Sequence, residues 1–336
     1  MPKFRDTHIS LAHGNGGRMM RELIEELFLP ALANPLLDVS ADAVALPTPA
    51  DRDLVVTTDG FTVRPLEFPG GNIGSLAVHG TVNDLAVSGA IPHFLTLSVF
   101  LEEGLEIAQL RRVIEALAAA ARECSVAIVA GDTKVLGRGD CDGIYLAATG
   151  VGFRQPGLNL GLNELRSGDR VLVSGPIGQH GAAVLLAREE FGLRGELVSD
   201  AASVLPQAQA LLSVAGLRFM RDPTRGGLAT VAHELARASN LGVRLSEASI
   251  PVHESVQSVC ELLGFDALYL ACEGRIVAVV APEHAEQALL ALRAAAPGAA
   301  LIGELIEGPA RVILDTEFGG QRALDELDDD PLPRIC

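Results

Sequence analysis

Four residues, Arg154-Gln155-Pro156-Gly157, divide this 336-residue chain into two halves, each of which alternates strand-length and helix-length apolar runs. Proline fixes its own φ and lacks an amide hydrogen, and the glycine after it favours a turn, so neither a helix nor a central strand continues through this point. A chain of this length is too long for one comfortable core, and about two domains are expected. Ahead of the break, residues 1–40 read as a polar extension containing His13-Gly14-Asn15-Gly16-Gly17, followed by Met20, Leu23, Ile24, Leu27 and Phe28 at helical spacing. Between 41 and 153 the pattern predicts strands at 54–58, 94–101, 126–130 and 144–151 and helices at 73–88 and 107–122. After it come a strand at 171–174, helices at 181–190, 201–214, 227–239, 254–263 and 283–295, and strands at 276–280, 301–304 and 311–314. The expected fold is α/β with mixed sheets: domains 41–153 and 154–314, the N-terminal extension, and a mobile C-terminal arm at 315–336.

The composition excludes several classes. A formal net charge of −17, no Trp and only two Tyr provide neither the basic surface nor the stacking rings of a nucleic-acid binder. No apolar stretch reaches the about 18 residues of a membrane span before Arg or Glu breaks it. Met1-Pro2-Lys3-Phe4-Arg5-Asp6 has no hydrophobic secretion segment, so a cytoplasmic protein is expected. The five cysteines are odd in number, widely spaced and free of any Cys-x-x-Cys pair, which argues against disulfides and zinc. Cys124, Cys260 and Cys272 lie in apolar stretches and read as small core residues.

The fifth cysteine, Cys336, ends an acidic tail, Asp328-Asp329-Asp330-Pro331-Leu332-Pro333-Arg334-Ile335-Cys336. Terminal segments are the least tied-down part of most domains, so this thiol is expected outside the core, at the tip of an extended arm. Upstream, three acidic motifs adjoin apolar runs. Thr58-Asp59-Gly60 and Gly131-Asp132-Thr133-Lys134 each put a carboxylate where a strand meets a glycine, and Asn83-Asp84 lies in an otherwise apolar helix. Converging carboxylates suit a hard cation such as Mg²⁺, and a lysine supplies a point charge for phosphate. Asp59 and Asp132 are equally readable as ordinary turn formers, whereas Asp84 needs a partner inside its helix. In the second half, Asp222-Pro223-Thr224-Arg225-Gly226-Gly227 opens directly into a helix, which suits an anion at the helix N-terminus or a plain helix start. Ala271-Cys272-Glu273-Gly274-Arg275 sets an acid and a base together, with an exposed ion pair as the plain alternative.

Taken together these segments resemble the ATP-binding superfamily of aminoimidazole ribonucleotide synthetase, selenophosphate synthetase and thiamine-monophosphate kinase. His-Gly-Asn-Gly-Gly near the start and Pro-Arg-Ile-Cys at the end resemble, within it, the hydrogenase-maturation carbamoyl dehydratases. The resemblance implies a two-domain aminoimidazole-ribonucleotide-synthetase-like fold, with an ATP- and Mg²⁺-binding first domain that dimerises through its sheet. It implies ATP-dependent dehydration of a carbamoyl group on Cys336 to a thiocyanate, the source of the cyanide on [NiFe]-hydrogenase iron. By the same token Asp59, Asp84, Asp132 and Asp222 would be Mg²⁺ ligands, Lys134 would neutralise phosphoryl or carbamoyl oxygen, and Glu273 would abstract the proton. Asn83, Gly14, Gly16, Gly17, Gly226 and Gly227 would contact the nucleotide. Implied partners are a second copy of the chain, a HypF-like carbamoyltransferase, and HypC- and HypD-like iron scaffolds. Two rivals stand beside this reading: a superfamily enzyme acting on a free amide or phosphate, and a carrier whose Cys336 only holds a group. A carrier needs no nucleotide site, and the full motif set argues against it.

Overall fold

The computed structural model describes residues 6–15, 17–39, 41, 43–188, 197–327, 332 and 334–336. Contacts divide the chain into two compact units, one comprising 1–85, 90–156 and Cys336, the other 86–89 and 157–335.

The first unit opens with helix α1 (Arg18–Leu23), which continues through a π-helical turn (Ile24–Phe28) into α2 (Leu29–Leu32). Leu23, Leu27 and Phe28 are its buried anchors. After β1 (Asp53–Phe61) a two-residue ladder, β2 (Glu67–Phe68) with β3 (Gly71–Asn72), leads into α3 (Ile73–Val87). Then follow β4 (Ile91–Glu102), α4 (Ile107–Glu123), β5 (Ala127–Leu136) and β6 (Ile144–Arg154). The sheet order is β1-β6-β4-β5, antiparallel except for β4 with β5, which α4 connects. A parallel pair needs such a crossover. Ile107, Leu110, Val113, Ile114, Leu117 and Ala121 of α4 recur at helical spacing and are buried.

Helix α3 is apolar nearly all round, with Ile73, Leu76, Val78, Val82 and Leu85 buried. It lies against one face of the sheet, where Gly150 of β6 permits close approach: a Cβ there would stand 2.7 Å from Thr81 Cγ2. The opposite face carries Leu54 and Val56, each 57% exposed. Part of that face is covered by Leu36, Val44 and Leu46 over Phe94, Val129 and Phe153.

The second unit contains β7 (Arg170–Val173), α5 (Gln179–Ala187), α6 (Leu205–Leu212), β8 (Leu217–Arg221), α7 (Gly227–Ser239), β9 (Gly242–Ser246) and α8 (Glu254–Leu263). It ends with β10 (Val277–Val280), α9 (Ala285–Ala295), β11 (Ala300–Ile306), β12 (Val312–Asp315) and β13 (Gln321–Ala323). The sheet order is β13-β12-β9-β11-β7-β10-β8. Its central strands are buried on both sides and therefore read as unbroken apolar runs. Val171, Val173, Val277 and Val279 pack with Leu228, Val231 and Leu235 of α7. Leu172, Ala278 and Val280 pack with Leu211 of α6 and Ala288 and Leu292 of α9 on the other side.

Several expectations are corrected. Strands β1 and β5 run through Asp59-Gly60 and Gly131-Asp132 instead of stopping there, so neither aspartate forms a turn. Ladder pairing across β6 and β4 holds both extended, as with Asp59↔Ala148 and Ser98↔Asp132. Strands β8 and β9 were not anticipated, and the helix expected at 201–214 begins only at Leu205, with proline in its first turn. The chain beyond 315 is not yet a free arm, because β13 pairs with β12 and Leu324 is buried. The end of the helix expected at 181–190 and the acidic run 328–330 lie outside the described residues.

Candidate active site

In the first unit two of the expected carboxylates share a sheet face. Paired residues on neighbouring strands point the same way. Thr57 registers with Gly150, on which α3 lies, and Asp59 stands one pleat further along, about 6.6 Å. Thr57 Oγ1 donates to Asp84 Oδ2 on α3 at 2.7 Å, which gives the helix carboxylate its partner. Asp59 Oδ1 accepts from the Gly60 amide at 2.7 Å. Asn83 beside Asp84 is fully buried.

Asp132 and Lys134 stand on the opposite face. Asp132 registers with Ser98, Ala147 and Gly60, one step out of phase with the row of Asp59. Lys134 Nζ is 2.8 Å from Asp132 Oδ2, and that hydrogen bond holds the Asp132 carboxyl below its usual range against the opposing effect of burial. Among the described residues, no three His, Cys, Asp or Glu side chains gather as a metal-binding group.

The N-terminal loop is fixed by His13, fully buried, whose Nδ1 accepts from the Ser10 amide at 3.0 Å while Nε2 lies 3.2 Å from Asp6 Oδ2. The Ser10–His13–Asp6 trio is a capping arrangement at the start of the N-terminal turn, with the Ser10 hydroxyl also 3.1 Å from Nδ1. Gly14 packs against Val135 of β5, Gly17 caps α1, and Gly16 lies outside the described residues. At the other end of the chain, Cys336 is only 8% exposed. This corrects the expectation that a terminal thiol stays out of the interior. Hydrogen bonds tie the terminus down: the Thr62 amide donates to the Cys336 carbonyl at 3.1 Å, and the Thr62 hydroxyl lies 3.4 Å from it.

The second unit assembles Glu273 from four segments. The Cys272 amide donates to Pro223 O at 3.0 Å, which joins the Glu273 segment to the Asp222 loop. The Gly178 amide lies 3.1 Å from Cys272 Sγ and the Gly181 amide donates to Ala271 O at 3.0 Å, which adds the start of α5. Burial pushes the Cys272 thiol far up, so it is inert packing. The Glu273 amide donates to Asp200 Oδ1 at 3.3 Å, and the Ala202 amide donates back to Glu273 O at 3.4 Å. Glu273 is 1% exposed, so the exposed ion pair envisaged with Arg275 is not formed. Arg275 instead donates to Pro176 O at 2.9 Å and Gln179 Oε1 at 2.7 Å and stands 3.6 Å from Asp200 Oδ2. Asp222 is buried, and Gly226 and Gly227 both have left-handed φ, +69° and +59°. A Cβ on Gly227 would also stand 2.6 Å from Leu270 O, so these glycines are required by the local backbone whatever else they contact.

Beside this cluster sits His180, which the sequence did not single out. Its Nε2 donates to Ile335 O at 2.7 Å and its Nδ1 lies 2.8 Å from Ser199 Oγ, while Arg188 Nη2 donates to Arg334 O at 2.9 Å. Thr62, Arg188, Ser199 and Asp200 were likewise missed, since none belongs to a local motif. A histidine in an apolar helix was the one available signal, because a buried imidazole must find partners.

Residues 40–153 match the family model described as AIR synthase related protein, N-terminal domain, and residues 166–315 match the corresponding C-terminal domain. The carbamoyl dehydratase HypE of Azotobacter vinelandii is 46% identical over 99% of this chain and 98% of its own. The chain belongs to the HypE family of carbamoyl dehydratases. It is accordingly an enzyme. A crystal structure of the hydrogenase maturation protein HypE in complex with ATP superposes with a TM-score of 0.92 at 42% identity, covering 97% of this chain and 99% of that one. HypE in a HypE–HypF complex gives 0.79 at 41% identity, covering 91% and 99%. The mixed α/β fold read from the sequence is thus that of HypE, and no helix among the described residues is long and apolar enough to cross a membrane.

Proposed function

We propose that the chain uses ATP to dehydrate an S-carbamoyl group on its own Cys336, leaving a thiocyanate as cyanide donor for the iron of a [NiFe]-hydrogenase. The seating of its last residues supports this reading most. Cys336 is buried on Thr62, three residues beyond Asp59, and Ile335 is held by His180, which is linked through Ser199 to the residue pair Asp200 and Glu273. A tail with no chemical role has no need of buried polar partners.

The carbamoyl oxygen is a poor leaving group in water. Attack of that oxygen on the γ-phosphorus of ATP breaks the bond to the bridging oxygen and releases ADP. Loss of the nitrogen-bound protons and cleavage of the carbon–oxygen bond then give the nitrile and inorganic phosphate, so the elements of water end in the phosphate. Glu273 is assigned the proton from nitrogen, and Lys134 the charge on the transferred phosphoryl or carbamoyl oxygen. Asn83, Gly14, Gly16, Gly17, Gly226 and Gly227 are assigned to the nucleotide. Mg²⁺ keeps most of its waters and is ordinarily held by one or two carboxylates plus substrate phosphates. Asp59 and Asp84, on one face, fit that requirement; Asp132 projects from the opposite face of the same sheet, and Asp222 is assigned by the resemblance alone. Bound there, the ion would neutralise phosphate charge.

A HypF-like carbamoyltransferase would load Cys336, and HypC- and HypD-like scaffolds would receive the cyanide. Mass spectrometry of the C-terminal peptide tests the reading. After incubation with the transferase, carbamoyl phosphate and ATP, the peptide should carry a carbamoyl group and then a species lighter by one water. A carbamoylated peptide that never loses water in the presence of Mg-ATP would leave the chain a carrier.

A further inference from the structure

Two peptide carbonyls of the C-terminal arm, Arg334 O and Ile335 O, are held by side chains of the second unit, Arg188 and His180. A carbonyl oxygen can only accept, so His180 must carry its proton on Nε2 to bond Ile335 O at 2.7 Å. In the neutral ring Nδ1 is then an acceptor, and the Ser199 hydroxyl 2.8 Å away is the donor it faces. The Ala201 amide donates to Ser199 Oγ at 3.0 Å, which fixes the hydroxyl and its direction. The relay therefore runs one way, from the Ala201 amide through Ser199 and His180 to the arm. Burial of His180 disfavours a charged ring, consistent with this tautomer.

Two further features show a held arm. Arg188 takes the preceding carbonyl, Arg334 O, at 2.9 Å. Arg334 itself has a φ of +58°, a left-handed conformation that is unfavourable for a residue with a side chain and persists only where the surroundings impose it. Leu332 and Ile335 are buried on either side of that bend. Since these bonds fall on the main chain of 334 and 335, the substituent on the neighbouring sulfur can change without loosening them.

We infer that His180, oriented by Ser199, is the positioning residue that seats the C-terminal arm for reaction at Cys336. The inference rests on the function proposed above for Cys336, but its primary test does not. Rates of alkylation of the C-terminal peptide by iodoacetamide report how often the arm leaves its seat, whatever chemistry follows. Replacing the donor by a ring of similar size, His180→Phe, leaves Ile335 O without its partner. Alkylation should quicken about tenfold, the effect of one lost buried hydrogen bond, with Mg-ATP affinity unchanged. His180→Gln, which restores a donor, should recover most of the wild-type rate, and Ser199→Ala should give an intermediate one. In single-turnover dehydration of carbamoylated enzyme, the same variants should slow in the same order.

An alkylation rate equal to wild type in a folded His180→Phe protein would overturn the inference. If that variant does not fold, an unchanged rate in Ser199→Ala would do so. Wild-type enzyme that is protected from alkylation yet never dehydrates its carbamoyl group would instead refute the proposed function and leave the positioning role standing.

Discussion

At the scale of single residues, Asp84 shows how one side chain separates stability from binding. Its Oδ2 accepts from Thr57, and an asparagine oxygen can accept the same bond. Asp84→Asn should therefore melt within a few degrees of wild type but, if Asp84 is the ligand proposed above, lose about tenfold or more in Mg-ATP affinity by calorimetry. Asp132→Asn breaks a half-exposed pair with Lys134, an interaction worth about 0–1 kcal/mol, and should be equally harmless to the fold. Unchanged affinity in both would make these aspartates structural. His79 behaves differently. It is buried on α3 with neither ring nitrogen hydrogen-bonded among the described residues, and burial lowers its pKa despite the opposing charge of Glu123. Below the ordinary histidine pKa of about 6.5 the unfolded chain takes up a proton that the native state refuses, so stability present at neutral pH is lost as pH falls. The slope contributed by this group is at most about 1.4 kcal/mol per pH unit. Denaturant titrations at several pH values should show a shallower acid limb for His79→Leu.

Among the elements, the four-stranded sheet has one face under α3 and another that still shows Leu54, Val56 and Ile91. Exposed apolar residues on adjoining strand positions mark an interaction surface more often than a solvated one. A second copy of the chain is the partner assigned to it. Val56→Lys should leave the monomer folded, because the site is already half in water, and should shift light scattering at micromolar concentration from dimer to monomer. Wild-type protein that scatters as a monomer would remove the assignment. Helix α3 is itself a constrained element, since it approaches the sheet at Gly150. Gly150→Val should cost about 1–3 kcal/mol by overpacking and weaken nucleotide binding too, because the displaced helix carries Asn83 and Asp84, proposed above to contact the nucleotide and its metal.

For the molecule as a whole, the arm ties its chemistry to its own fold. Main-chain atoms make the anchoring bonds at Thr62, His180 and Arg188, so Cys336→Ala should keep its melting temperature and Mg-ATP affinity while forming no thiocyanate. A cyanide donor produced by that variant would refute the terminal-thiol mechanism. Much of this architecture was legible in the chain. Periodicity located α4 and α7 and the strands β1, β4, β6, β7 and β10, and the glycine-flanked acidic motifs together with the terminal cysteine pointed to the family. Local pattern failed where a neighbour decided the outcome. Asp59-Gly60 and Gly131-Asp132 look like strand ends until β6 and β4 supply ladder partners that keep them extended. Glu273 looked like half of an exposed pair until Asp200, distant in sequence, drew it inside. Sequence alone set what depends on side-chain period, turn chemistry and the order of motifs, because these act over a few residues. Only the tertiary structure decided that a terminal thiol is buried, since the bonds that hold it join residues as far apart as Thr62 and Cys336, whose meeting depends on the folding of everything between them.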